Sequence, residues 1–337
     1  WDERGDSYLI NVVKPERLLN AVLEKIFPDR VVTGTIKDNI SGYSNLRLVN
    51  SYLIAAESIR EMTNQRIYTS FSKFCDYMEA VYGYVYVVEG NNIIFLHRSE
   101  LFSKYSKKGV GMASGFNYSV ASDRIYSYIQ IGYEKQDYDF GNNGSDEFNF
   151  NNTYTTGCTI KDSKLTIMSP YRADCYGFVE LAEKRNQDST TTDSDKQIFI
   201  VIAFEYVDEY RLDRTVDVQG VYTYSVFNAK LSPVYMIEAN MGYLSSFADK
   251  LTFASSEANS DIIIGGNRMD EDINMENPMF GLGDISFTTG EILTIENWNA
   301  DCIEVEFNGN KFVGAVKSME YSLSNIEEVK YELIELK

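Results

Sequence analysis

The stretch "SPYRADCYGF" (169–178) places a cation, a carboxylate and a thiol within four positions, at Arg172, Asp174 and Cys175. A thiol beside charged groups suits a nucleophile, a metal ligand or a disulfide partner. Each of these roles needs a second group. A Cys–His pair would have to use His97, the single histidine, from across an expected domain boundary. Structural zinc needs four Cys or His ligands at close spacing, and Cys75, Cys158, Cys175 and Cys302 contain no CxxC pair. A Cys158–Cys175 bridge requires two antiparallel strands to bring the thiols together. Free and mostly buried thiols are the expectation for all four cysteines. Pro170 and Gly177 punctuate the stretch, so it reads as a structural corner in which Arg172 pairs with Asp174 and Cys175 is a small buried residue.

The remaining chemistry is sparse. No GxSxG elbow, phosphate-binding glycine loop or HExxH motif is present. Gly109, Gly111 and Gly115 miss the dinucleotide spacing by one residue and follow a lysine run rather than a strand. The loops "DFGNNGSDEFNFNN" (139–152) and "NQDSTTTDSD" (186–195) carry Asp and Asn without the ordered ligand spacing of a calcium loop, and read as solvated. His97 has no second histidine or serine motif to work with and reads as structural or exposed. No catalytic, cofactor-binding or metal residue is therefore assigned, and the chain is expected not to be an enzyme. A glycoside hydrolase-like pair among the 50 acidic residues is a third-ranked reading. A cell-surface glycan-binding module, with Trp298 as its platform, is the alternative to a structural role.

Net charge narrows the partners. The chain carries −19 at neutral pH, and "KYSKKG" (104–109) is its one dense cationic patch, read as a solvated linker. An acidic surface repels phosphate backbones, so no nucleic-acid partner is expected. No apolar run approaches the roughly 20 residues of a membrane helix, so no membrane insertion is expected either. Aromatics reach 14%, mostly Tyr and Phe, which favours pleated surfaces and protein interfaces. The Trp1 start is that expected of an excised fragment or processed product.

The elements that would position these residues change character along the chain. Helical spacing marks "KPERLLNAVLEKIF" (14–27), "LVNSYLIAAESIREM" (48–62) and "SFSKFCDYMEAVYG" (70–83), the last with Ser70 as N-cap and Cys75 on its apolar stripe. A hairpin follows at 84–98. Residues 99–115 read as a boundary, after which a period of two takes over at 124–134, 164–171, 197–207 and 220–228. A helix at 232–249, with Ser232 as cap and Pro233 at its first position, interrupts the strands. A hairpin around Asn308-Gly309 and a strand at 327–336 close the chain. The expected fold is α+β and predominantly antiparallel β. A small α/β module (1–105) precedes β-barrel or sandwich-type domains (106–337), divisible into two subdomains, with the helix inserted. The strand at 327–336 should pair with the C-terminal hairpin and bury Val329, Tyr331 and Leu333.

At "IYSYIQIGYEKQDYD", "DEFNFNNTYTTGC", "SPYRADCYGF" and "LSPVYMIEAN" the chain resembles tail-associated proteins of phages and prophages of gut Bacteroidetes, over roughly residues 65 to 337. A looser similarity links "FSKFCDYMEAVYGYVYVVEGNNIIFLHR" and the closing strands to phage baseplate hub proteins. The resemblance implies a structural virion component of a tail tip or baseplate hub, often a homo-oligomeric ring. It also implies assembly with other tail or baseplate proteins, and a product made in the bacterial cytoplasm for the phage tail. It carries no catalytic signature, no cofactor and no interface residue.

Overall fold

The computed structural model describes residues 10–37, 50–104, 107–111, 113–134, 150–185, 190–207, 209–213, 218–219, 228–257, 260–264, 266–295, 300–322 and 325–337. Helix α1 (Pro15–Ile26) starts on Pro15, which suits a first turn that needs no N–H partner, and buries Leu18, Leu19 and Leu23. Strand β1 (Thr33–Ile36) follows, then β2 (Ser51–Ala55) and the single turn α2 (Ala56–Ile59). The helix expected at 48–62 is thus a strand and one helical turn. Tyr52, Leu53, Ile54 and Ala55 form a continuous apolar run that suits either a buried helix or a strand buried on both faces. All five residues of β2 are buried, and a later apolar strand supplies its hydrogen-bonding partner.

Helix α3 (Phe71–Tyr82) has the expected limits. Ser70 accepts from the Lys73 N–H at 3.2 Å, and Gly83 closes the helix in the left-handed region at φ 66°. Strands β3 (Tyr84–Glu89) and β4 (Asn92–His97) make the expected hairpin across Gly90 and Asn91, with β1 parallel to β4 on its other side. Helix α4 (Arg98–Lys104) leads into β5 (Lys107–Val110) and β6 (Ser114–Val120).

Strands β7 (Tyr128–Tyr133), β8 (Asn151–Thr155) and β9 (Lys164–Ser169) lie side by side, with β9 parallel to β7 at the sheet edge. Helix α5 (Cys175–Glu183) comes next, so the expected corner between strands is a strand-to-helix junction, with Gly177 inside the helix. Strand β10 (Ile198–Tyr206) pairs with β2 on one side and with β11 (Glu209–Leu212) on the other. Strand β12 (Val218–Gln219) follows, and the strand expected at 220–228 lies outside the described residues apart from Asn228.

The helix expected at 232–249 is two pieces, α6 (Pro233–Ala239) and α7 (Met241–Leu244). Asn240 breaks it, because its Nδ2 donates to Met236 O and to Ala80 O of α3, each at 3.0 Å. Ser232 holds the N-cap position without a capping bond; its hydroxyl donates to the Met269 sulfur. Tyr235, Met236 and Ala239 are buried, and α6 packs on α3 as well as on β7.

Strands β13 (Lys250–Glu257), β14 (Ile263–Ile264), β15 (Asn267–Arg268) and β16 (Ile273–Asn274) precede β17 (Phe280–Thr289). Strands β18 (Cys302–Phe307) and β19 (Asn310–Ser322) form the expected hairpin, with Asn308 and Gly309 at φ 51° and 77°. Strand β20 (Asn325–Leu336) closes the chain between β19 and β17, and Val329, Tyr331 and Leu333 are fully buried.

The result is α+β and predominantly β. A six-stranded sheet runs β5-β18-β19-β20-β17-β6, and a five-stranded one β16-β13-β8-β7-β9, beside three smaller sheets. The barrel form of the expectation is corrected: among the described residues the sheets stay open and no closed barrel forms. The largest apolar cluster draws on both sides of residues 99–115, from Leu18 to Met275. A second lies under the six-stranded sheet, around Ile285, Phe287, Val305 and Tyr331. Among the described residues no helix is long and apolar enough to cross a membrane.

Candidate functional site

Arg172 and Asp174 meet as the sequence suggests. Nε and Nη2 of Arg172 donate to the two carboxylate oxygens of Asp174 at 2.7 and 2.5 Å, with both side chains buried. Asp174 also caps α5 by accepting from the Gly177 N–H at 3.1 Å. Burial pushes its carboxyl up from the ordinary value, while Arg172 and the helix N–H pull it down. The Arg172 backbone joins β10 through Ile198 O and the Ile200 N–H, both at 2.8 Å, and its guanidinium lies 4.8 Å from the Phe199 ring centroid. Both oxygens of the carboxylate are therefore occupied by the junction itself. The Cys175 side chain lies outside the described residues.

The other candidates are dispersed. Cys75, Cys158 and Cys302 are free thiols, so Cys158 is not bridged. Burial pushes the Cys75 thiol up to about 12 and the Cys302 thiol up to about 11, which keeps both protonated and poorly nucleophilic near neutrality. His97 is buried at the end of β4, between Ala239 O and Ser99. Of the cationic patch, Lys108 pairs with Asp301 at 3.1 Å and also reaches Thr294 O. Trp298, residues 139–149 and residues 186–189 lie outside the described residues. Asp195, from the second of those acidic loops, is held by Arg60 at 2.6 Å and by the Thr192 N–H and hydroxyl. Among the described residues no group of three or more His, Cys, Asp or Glu is placed to hold a metal ion.

A cavity of about 290 Å³ opens between α3, β9 and α7, lined by Asp76, Glu79, Arg98 and Asn240 among others. Glu79 and the Tyr243 ring already hold the Arg98 guanidinium, the ring centroid lying 4.0 Å from it.

A different feature stands out on the six-stranded sheet. Strand β6 is its terminal strand, with β17 as its one partner among the described residues, and six of its seven residues are exposed. Phe116 anchors it, stacking on Phe307 at 4.5 Å between ring centroids and touching Phe312 at 4.8 Å. Tyr118 crosses Gly283, where a Cβ would meet its ring at 2.4 Å, and donates to a Glu335 oxygen at 2.8 Å. That bond holds the Tyr118 phenol above its ordinary value. Tyr118 is still 45% exposed, Val120 62% and the neighbouring Leu282 47%. The Ala121 N–H donates to Leu282 O at 2.8 Å. By antiparallel alternation, the N–H and C=O groups of Val120 and Tyr118 then turn to the outer edge.

Protein edges of this kind are usually blunted by charge, by proline or by a covering element. Here the run from Gly109 to Ser122 contains neither a charged residue nor a proline, in a chain that is 24% charged. Sequence reasoning did not single out Tyr118 and Val120, because an uncharged run by itself suits a buried strand as well as an exposed one. No protein-family model, curated protein or solved structure matches the chain. The reading of function therefore rests on this geometry and on the resemblance of its phrasing.

Proposed function

We propose that this chain is a structural assembly protein, a tail-tip or baseplate hub-like component of a phage or prophage particle. It acts through protein–protein contacts rather than through a chemical step. The observation that carries the reading is the outer strand β6: exposed, uncharged, and with backbone groups turned to an edge that has no strand partner among the described residues. Such an edge gives main-chain hydrogen bonds to an added strand, and the exposed Tyr118, Val120 and Leu282 give that strand apolar surface to cover. The resemblance to tail-associated proteins supplies the setting, in which the chain is made in the bacterial cytoplasm and incorporated in the virion with other tail proteins. The acidic surface is in keeping with protein rather than nucleic-acid partners.

Electron microscopy of the intact source particle tests this. The chain is expected within the tail tip, with β6 covered by a neighbouring subunit. Tail structures that lack the chain would overturn the reading.

A further inference from the structure

We propose that the strand added at β6 is β6 of a second copy of this chain, antiparallel about a two-fold axis at Asn117, so that two six-stranded sheets become continuous. This rests on the assembly reading above and names its partner.

Charge selects the second copy. Two chains of net charge −19 repel one another over most of their surfaces, and the exposed strand β6, which carries no charged residue, offers them a neutral edge of approach. A basic partner would be drawn to the acidic faces instead. An antiparallel edge is also self-complementary, so a two-fold contact needs no separate matching surface.

The ends of the strand complement each other as well. At the Gly111 end the Glu291 carboxylate lies 2.9 Å from where a Cβ of that glycine would stand. At the other end the Lys161 ammonium donates to Ser122 O at 3.3 Å. Beside it, Arg124 and Lys317 face Asp123 and Asp284, and Glu335 accepts from the Gly283 N–H, so three cations stand among three carboxylates. Lys161 is the one of these cations that makes no salt bridge among the described residues. Antiparallel pairing lays the Glu291 end of one copy against the Lys161 end of the other.

The axis follows from two constraints. A two-fold axis normal to a sheet must pair residues whose side chains share a face, so it passes through a residue rather than between two. Centring the pairing on β6 itself, from Ser114 to Val120, puts that residue at Asn117, with Phe116 beside it. At Phe116 the side chain is committed to Phe307 and Phe312, while Asn117 is exposed. The Asn117 N–H turns inward to β17, so across the outer edge Asn117 would form a non-hydrogen-bonded pair with itself. The Cα atoms of such a pair lie about 4.5 Å apart, within disulfide reach.

The test uses the full chain. Sedimentation velocity should show a dimer, and Asn117→Cys under mild oxidation should give a disulfide-linked dimer. Neither the native chain nor Ser119→Cys, two residues off the axis, should do so. Val120→Lys, on a side chain already in solvent, should weaken dimerisation at least about tenfold. Lys161→Glu should weaken it too, and Glu291→Lys in the same chain should restore it. Circular dichroism spectra matching the native chain would establish that these variants fold. A chain that stays monomeric, or forms rings of three or more copies, overturns the pairing. So does a dimer that survives Val120→Lys and does not cross-link through Asn117→Cys. All three results leave the assembly reading standing, because that reading falls only if the particle lacks the chain.

Discussion

The Nε2 of His97 donates to the carbonyl of Ala239 at 2.7 Å, joining the last residue of β4 to the last residue of α6. Nδ1 accepts from the Ser99 N–H at 3.2 Å and lies 2.6 Å from its hydroxyl, so the ring is neutral with its proton on Nε2. Burial pushes the imidazole below its ordinary 6.5; Arg98 acts in the same direction, while the Ala239 bond and Glu100 oppose it. The unfolded chain therefore takes a proton at a higher pH than the folded one. The stabilisation is fully present above about 6.5 and is lost as pH falls from there toward the folded value. In urea melts, the native midpoint should fall more steeply over that interval than that of His97→Gln. Parallel curves would sink this account.

Gly83 and Gly90 make a controlled pair. Both sit in the left-handed region, at φ 66° and 61°, but a Cβ at Gly83 would meet Ala239 O at 2.5 Å, whereas one at Gly90 meets nothing within 4 Å. Gly90→Ala should cost about 1–2 kcal/mol, the conformational term alone. Gly83→Ala should cost a further 1–3 kcal/mol or so, because the contact between α3 and α6 must open. Equal losses in thermal melts would mean that this contact yields freely.

Asp174→Asn separates charge from capping. Asparagine keeps a side-chain oxygen for the Gly177 N–H, but it removes the carboxylate that receives Nε and Nη2 of the buried Arg172. Breaking a buried pair in this way typically costs about 3–5 kcal/mol. A loss below about 1 kcal/mol in urea unfolding would show that the junction is held chiefly by its backbone bonds to β10.

Thiol labelling checks the cysteine assignments. Cys302 is 1% exposed and its thiol is pushed up to about 11, so in the folded protein it should resist alkylation at neutral pH. Unfolding without reductant should make all four cysteines alkylatable, seen as four added masses. Two unlabelled cysteines would point to a bridge and to an oxidising compartment.

Much of the local structure was legible because its causes are local. Ser70 and Gly83 bracket α3, Pro15 opens α1, and Asn308-Gly309 turns the last hairpin; each acts on backbone within a few residues of itself. The alternation of β20 also announced a strand with one buried face, and Tyr331 is indeed fully buried, accepting from the Leu293 N–H at 2.8 Å. The pairing of Arg172 with Asp174 followed from their spacing alone. What the sequence left open depended on distant partners. The Tyr52–Ala55 run is a strand because β10 lies beside it. The 232–249 helix breaks because Asn240 finds Ala80 O across the core. The open edge could not be read from the composition of β6, since an uncharged run is equally suited to a buried strand. Only the order of strands in the sheet, which puts β6 last and beyond β17, leaves its backbone groups and Val120 facing outward.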